Sequence, residues 1–106
     1  MLKTQHNAWI HLIATCLTTI VGWVVGLSGL EWCLITLAMM AVWVAEALNT
    51  AFEYLADVAN PTFHPLIKKS KDVAAGAVLI AAIGAVIIGL ILLGPKVYGW
   101  LAMNRI

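Results

Sequence analysis

The chain reads as three long apolar runs separated by two polar breaks. Residues 9–27, WIHLIATCLTTIVGWVVGL, are uncharged and long enough to cross about 30 Å of hydrocarbon at about 1.5 Å of rise per residue. Trp9 and His11 near one end and Trp23 near the other suit headgroup anchoring. Ser28 and Gly29 form a turn too short for any extramembrane domain, so the second span, about 32–56, returns antiparallel to the first. Glu31 at its start favours a helix N-terminus. Residues 58–71, VANPTFHPLIKKSK, hold two prolines and three lysines and form the main polar connection, with Phe63, Leu66 and Ile67 suited to a surface segment. Ser70 is the expected N-cap of a third span over about 72–93, and Asp72 suits its first turn. Ala77, Ala81, Ala85 and Gly89 recur there every four residues, a seam that favours close helix packing. Gly94 and Pro95 are expected to end it.

Composition supports the same picture. The 106 residues are 63% hydrophobic and 10% charged, against about 25% charged in a soluble domain. The expectation is one all-α integral membrane domain covering residues 1–106. Residues 1–8, MLKTQHNA, read as an interfacial lead-in rather than a cleaved signal. A net charge of +1 gives no reason to invoke nucleic acid. Cys16 and Cys33 lack metal or redox spacing and read as small hydrophobes. Lys3, Lys68, Lys69 and Lys71 fall on one side of the three-span arrangement, the hairpin turn on the other carries no lysine or arginine, and Lys96 and Arg105 follow the last span. For a cell of bacterial-like topology, the positive-inside rule puts that lysine-bearing side in the cytoplasm.

One stretch departs from the apolar pattern. Glu46, Asn49, Glu53 and Asp57 are spaced three, four and four apart, so on an α-helix they share a stripe about a quarter of the circumference wide. Intramembrane carboxylates are costly unless they face water, an ion or a bundle interior. Glu46 is the deepest and suits a group that takes a proton from a hydroxyl; Glu53 and Asp57, nearer water, suit a divalent cation held together with phosphates. Lys71 and its lysine neighbours suit phosphate charge, and Asn49 suits ligand orientation. Polar side chains can also simply join spans, and lysines can simply set topology. Three acids on one stripe facing a lysine-rich break fit phosphoryl transfer better than glue. Neither a Walker A loop nor a Gly-x-Gly-x-x-Gly loop is present.

The run Glu46-Ala47-Leu48-Asn49-Thr50-Ala51-Phe52-Glu53, then Asp57, His64-Pro65-Leu66 and Lys69-Ser70-Lys71-Asp72-Val73-Ala74-Ala75-Gly76, resembles the signature of the prokaryotic diacylglycerol kinase and undecaprenol kinase family. The resemblance covers roughly residues 5–93. It implies a homotrimeric helical bundle that uses Mg2+ and ATP to phosphorylate a membrane lipid alcohol, with active sites shared between neighbouring copies at the cytoplasmic interface. Under it Glu46 is the catalytic base, Glu53 binds the metal, Asn49 lines the site, and His64, Lys71 and Asp72 contact the nucleotide. The loop form is closer to undecaprenol kinases, with diacylglycerol as the alternative substrate. Two departures bear on activity. Gln5 stands where the family has a second metal carboxylate, and a neutral amide oxygen holds a divalent cation more weakly. The family's amphipathic surface helix is not expected ahead of the first span. A weakened member acting as a lipid-binding membrane protein is the reading from a different class.

Overall fold

A computed structural model describes residues 2–59, 62 and 64–104, with side chains from residue 8 onward. All regular structure among them is helical: α1 (Leu2–Val25), α2 (Gly29–Ala59) and α3 (Pro65–Met103). Each is long and apolar enough to cross a membrane. They form a rod of 62 × 22 × 19 Å. At about 1.5 Å per residue the 39 residues of α3 run nearly its whole length.

The α1–α2 hairpin turns on Gly26, whose φ of 76° lies in the left-handed region that glycine enters at little cost. The Gly22 carbonyl accepts from both Gly26 N (3.0 Å) and Leu27 N (3.3 Å), which satisfies the end of α1. Leu27 is buried over Gly22, where a Cβ would lie 2.8 Å from Leu27 Cδ1 and 2.9 Å from the Trp32 ring. Ser28 and Glu31 then cap α2 reciprocally: Ser28 N donates to Glu31 Oε1 (2.9 Å) and Glu31 N donates to Ser28 Oγ (3.2 Å). The turn therefore centres on Gly26–Ser28, and Gly29 is already helical.

The second break is shorter than its composition suggests. Helix α2 runs on to Ala59 and α3 begins at Pro65, so the polar connection shrinks from the expected 58–71 to 60–64. Phe63 lies outside the described residues. Ser70 is not the cap of α3. His64 is: its backbone is extended and its Nδ1 accepts from Leu66 N at 3.1 Å. Pro65 fits the first helical position because its missing N–H has no partner there in any helix. Asp72 consequently sits two turns into α3 rather than in its first turn.

Nor do Gly94 and Pro95 end α3, which continues through Pro95 to Met103. The proline removes one backbone donor, and Lys96 just beyond it ties the continuation to α2 through Glu31 at 3.2 Å.

The core is thin, consisting of Leu27, Ile35, Ala38, Val42 and Ala56, and no described residue of α3 is buried. Three slender helices leave most apolar side chains facing outward, as acyl chains or further helices permit. The small-residue seam of α3 is not closed within this chain. Ala85 and Gly89 line an open-sided apolar cavity of about 470 Å3, and a Cβ at Gly84 or Gly89 would meet nothing within 4 Å.

Candidate functional site

The polar stripe lies along α2 as its spacing predicts, and its exposure rises toward the α2–α3 connection. Glu46 is 4% exposed and Asn49 8%, Glu53 is half-buried, and Asp57 is open to solvent. The helix itself therefore sorts the acids by depth.

From α3, Lys71 reaches across to Asp57 with Nζ 2.7 Å from Oδ1, and the charge of Glu53 also acts on it. Lys68 turns the other way and pairs with Asp72 along α3 at 3.0 Å. Both pairs are exposed enough for water to screen them, so each contributes little to the fold and can exchange partners.

Deeper in, the arrangement changes. Glu46 and Asn49 line a cavity of about 210 Å3 with Ala75, Val78 and Ala82 of α3 and with His11 of α1. His11 Nε2 stands 3.4 Å from Glu46 Oε2, close enough for charge interaction yet long for a hydrogen bond. Neither Glu46 oxygen, nor Asn49 Oδ1, nor His11 Nε2 has a hydrogen-bond partner. Buried polar atoms are normally paired, so four orphaned ones in a single pocket mark a place prepared for something else.

His11 is the residue that sequence reasoning missed, having placed it at the interface. Its position is fixed by a chain of contacts between α1 and α2. Trp43 Nε1 donates to Thr15 Oγ1 at 2.9 Å, Thr15 Oγ1 donates to the His11 carbonyl at 2.8 Å, and the His11 ring meets Trp43 edge-on at 6.0 Å. The hairpin register held the signal. Counting from the ends of the two helices at the turn, His11 is 14 residues up α1 from Val25 and Glu46 is 17 up α2 from Gly29, so the two lie at similar depth, about 21 and 26 Å.

The remaining expected site residues are spread more widely. His64 is engaged as the cap of α3, and Asp72 is exposed against Lys68. Gln5 falls on α1, but its side chain lies outside the described residues. Among the described residues no three His, Cys, Asp or Glu side chains converge as a metal cluster. The stripe nevertheless offers the half-buried Glu53 and exposed Asp57 carboxylates about one turn apart, and Mg2+ commonly takes only one or two carboxylates alongside phosphate oxygens. The donor set suits such an ion.

Residues 1–93 match the sequence profile described as prokaryotic diacylglycerol kinase. The chain belongs to that family. It is 42% identical over 94 residues to the undecaprenol kinase of Bacillus subtilis, spanning 89% of this chain and 76% of that one. It is 39% identical over 93 residues to a diacylglycerol kinase of Synechocystis, of which it spans 53%. Against the diacylglycerol kinase of Escherichia coli K12 the identity is 33% over 98 residues, with 86% of this chain and 80% of the other covered. No solved structure matches. Membership makes the chain a lipid kinase, a phosphotransferase that uses ATP, and its three span-length helices agree with a membrane setting.

Proposed function

We propose that this lipid kinase transfers the γ-phosphoryl group of ATP to the hydroxyl of undecaprenol at the cytoplasmic face of the bacterial inner membrane. The observation that carries this reading is the graded stripe: a buried carboxylate at Glu46, half-buried and exposed acids above it, and Lys71 from α3 at the exposed end. A lipid alcohol can reach Glu46 from the apolar side while a nucleotide approaches Lys71 from water. Phosphoryl transfer needs little more than this positioning and charge stabilisation.

In this reading Glu46 accepts the hydroxyl proton and Asn49 holds the alcohol in line. Glu53, with Gln5, would hold Mg2+, which when bound supplies positive charge against the phosphates. Lys71 exchanges Asp57 for the phosphate oxygens, and its exposed pairing makes that exchange cheap. His64 keeps Nδ1 on the cap of α3, which leaves Nε2 for the nucleotide, and Asp72 lies one residue beyond Lys71 on the same helix.

The unclosed seam and the absence of buried residues on α3 support assembly as a homotrimer, in which a neighbouring copy covers that face and completes each pocket. The undecaprenol kinase of Bacillus subtilis, at 42% identity, supports the polyprenol substrate. The relatives named diacylglycerol kinases support the second reading, in which the acceptor is diacylglycerol.

Purified protein assayed with labelled ATP on both lipids separates these readings. The expected result is faster labelling of undecaprenol, abolished by Glu46→Gln and by Glu53→Gln. Faster labelling of diacylglycerol selects the second reading, and labelling of neither lipid favours a binding protein that kept the fold.

A further inference from the structure

The orphaned pocket contains one titratable group that the proposed reaction does not use. His11 comes from α1, its side chain is 15% exposed against 5% for Glu46, and Nε2 lies 3.4 Å from Glu46 Oε2 with no other partner. The α3 wall of this pocket, Ala75, Val78, Leu79 and Ala82, offers no charge. Beside these, the pocket is lined by Ile10 and Asn49, so Glu46 and His11 are its titratable residues and face each other across it.

A carboxylate buried to this extent has a practical difficulty as a base. Once it holds the substrate proton it must lose it before the next turnover, and neither of its oxygens has a hydrogen-bond partner. We propose that His11 is the positioning and relay partner of Glu46, receiving through Nε2 the proton that Glu46 takes from the lipid hydroxyl. This rests on Glu46 acting as the base.

The lipid O–H bond breaks and that oxygen forms a new bond to the γ-phosphorus. The bond from the γ-phosphorus to the bridging oxygen breaks, and its electron pair leaves with ADP. The proton passes to a Glu46 oxygen and then to Nε2 of a neutral His11 whose own proton is on Nδ1, leaving imidazolium beside carboxylate. Nε2 is itself buried, so the imidazolium gives up its Nδ1 proton to water instead, His11 being the more exposed residue of the two. The 3.4 Å separation needs only a small closure to become a hydrogen bond, and such contacts tighten when substrate binds. The Trp43–Thr15 contacts keep the imidazole in place while this happens.

The test uses the full chain in detergent with undecaprenol, ATP and Mg2+, measuring kcat and KM across pH for the unaltered protein, His11→Gln and Glu46→Gln. Glutamine keeps hydrogen bonding but cannot carry a proton. His11→Gln is expected to lower kcat by roughly 10- to 100-fold, to leave the lipid KM within about twofold, and to change the shape of the rate profile against pH, because two coupled groups have become one.

An unchanged kcat, a loss confined to KM, or a lower kcat with an unmoved pH profile overturns the relay. Histidine-selective 15N NMR supplies a readout independent of turnover: the His11 Nε2 resonance is expected to change in Glu46→Gln, and an unchanged resonance also overturns the proposal. Retained turnover in Glu46→Gln would instead remove the base assignment itself, whatever the NMR shows of the contact.

Discussion

The two ends of this bundle treat polar groups in opposite ways. At the hairpin end, Ser28 and Glu31 cap each other's backbone, Glu31 also meets Lys96, and the Gly22 carbonyl closes the last turn of α1. Farther along, toward the α2–α3 connection, Glu46, Asn49 and His11 are more deeply buried than Glu31, yet both Glu46 carboxylate oxygens, Asn49 Oδ1 and His11 Nε2 lack hydrogen bonds. Fold stability asks for the first pattern, since a buried donor or acceptor without a partner costs about 1–3 kcal/mol. A site that must receive a hydroxyl and a phosphate asks for the second. The contrast separates polar residues that hold the helices from polar residues that wait for substrate.

Substitutions can break or sharpen this contrast. The largest effect is expected at Glu46. Glu46→Leu removes the orphaned oxygens and fills the space with carbon, so phosphotransfer falls by about 10²-fold or more while the thermal midpoint in detergent stays at or above that of the unaltered protein. A drop in that midpoint would show that Glu46 is structural. At the hairpin end the sign reverses. Gly26→Ala forces a side chain into the left-handed region at 76° and is expected to cost about 1–2 kcal/mol, read as an earlier unfolding transition with turnover within about twofold at permissive temperature. Ser28→Ala loses the side-chain half of the α2 cap, an expected cost of about 1 kcal/mol, again with turnover retained. Activity lost in parallel with stability in either variant would erase the distinction between the ends.

Much of this was legible in the sequence, for reasons that differ by residue. The 3.6-residue repeat fixes which positions share a helix face, so the stripe from Glu46 to Asp57 and its gradient of depth could be read directly, as could Glu31 at the start of α2. Boundaries were harder. Prolines are permissive at the first turn and are tolerated when later contacts hold the helix, and this is how Pro65 opens α3 and Pro95 fails to close it. His11 was hidden because a lone histidine near the end of an apolar run looks like an interfacial anchor; only the hairpin register brings it level with Glu46. The expected seam of Ala77, Ala81, Ala85 and Gly89 was also legible, but part of it, at Ala85 and Gly89, borders an open cavity, so what it packs against is not written in the contacts of this chain.

The most direct measurement is a paired comparison of one acid from each end: the rate of ATP-dependent phosphorylation of undecaprenol by Glu53→Gln and by Glu31→Gln, at matched folded protein. The account predicts that Glu53→Gln loses about 10²-fold or more and that Glu31→Gln stays within about twofold. Equal losses, or a greater loss at Glu31, would contradict it.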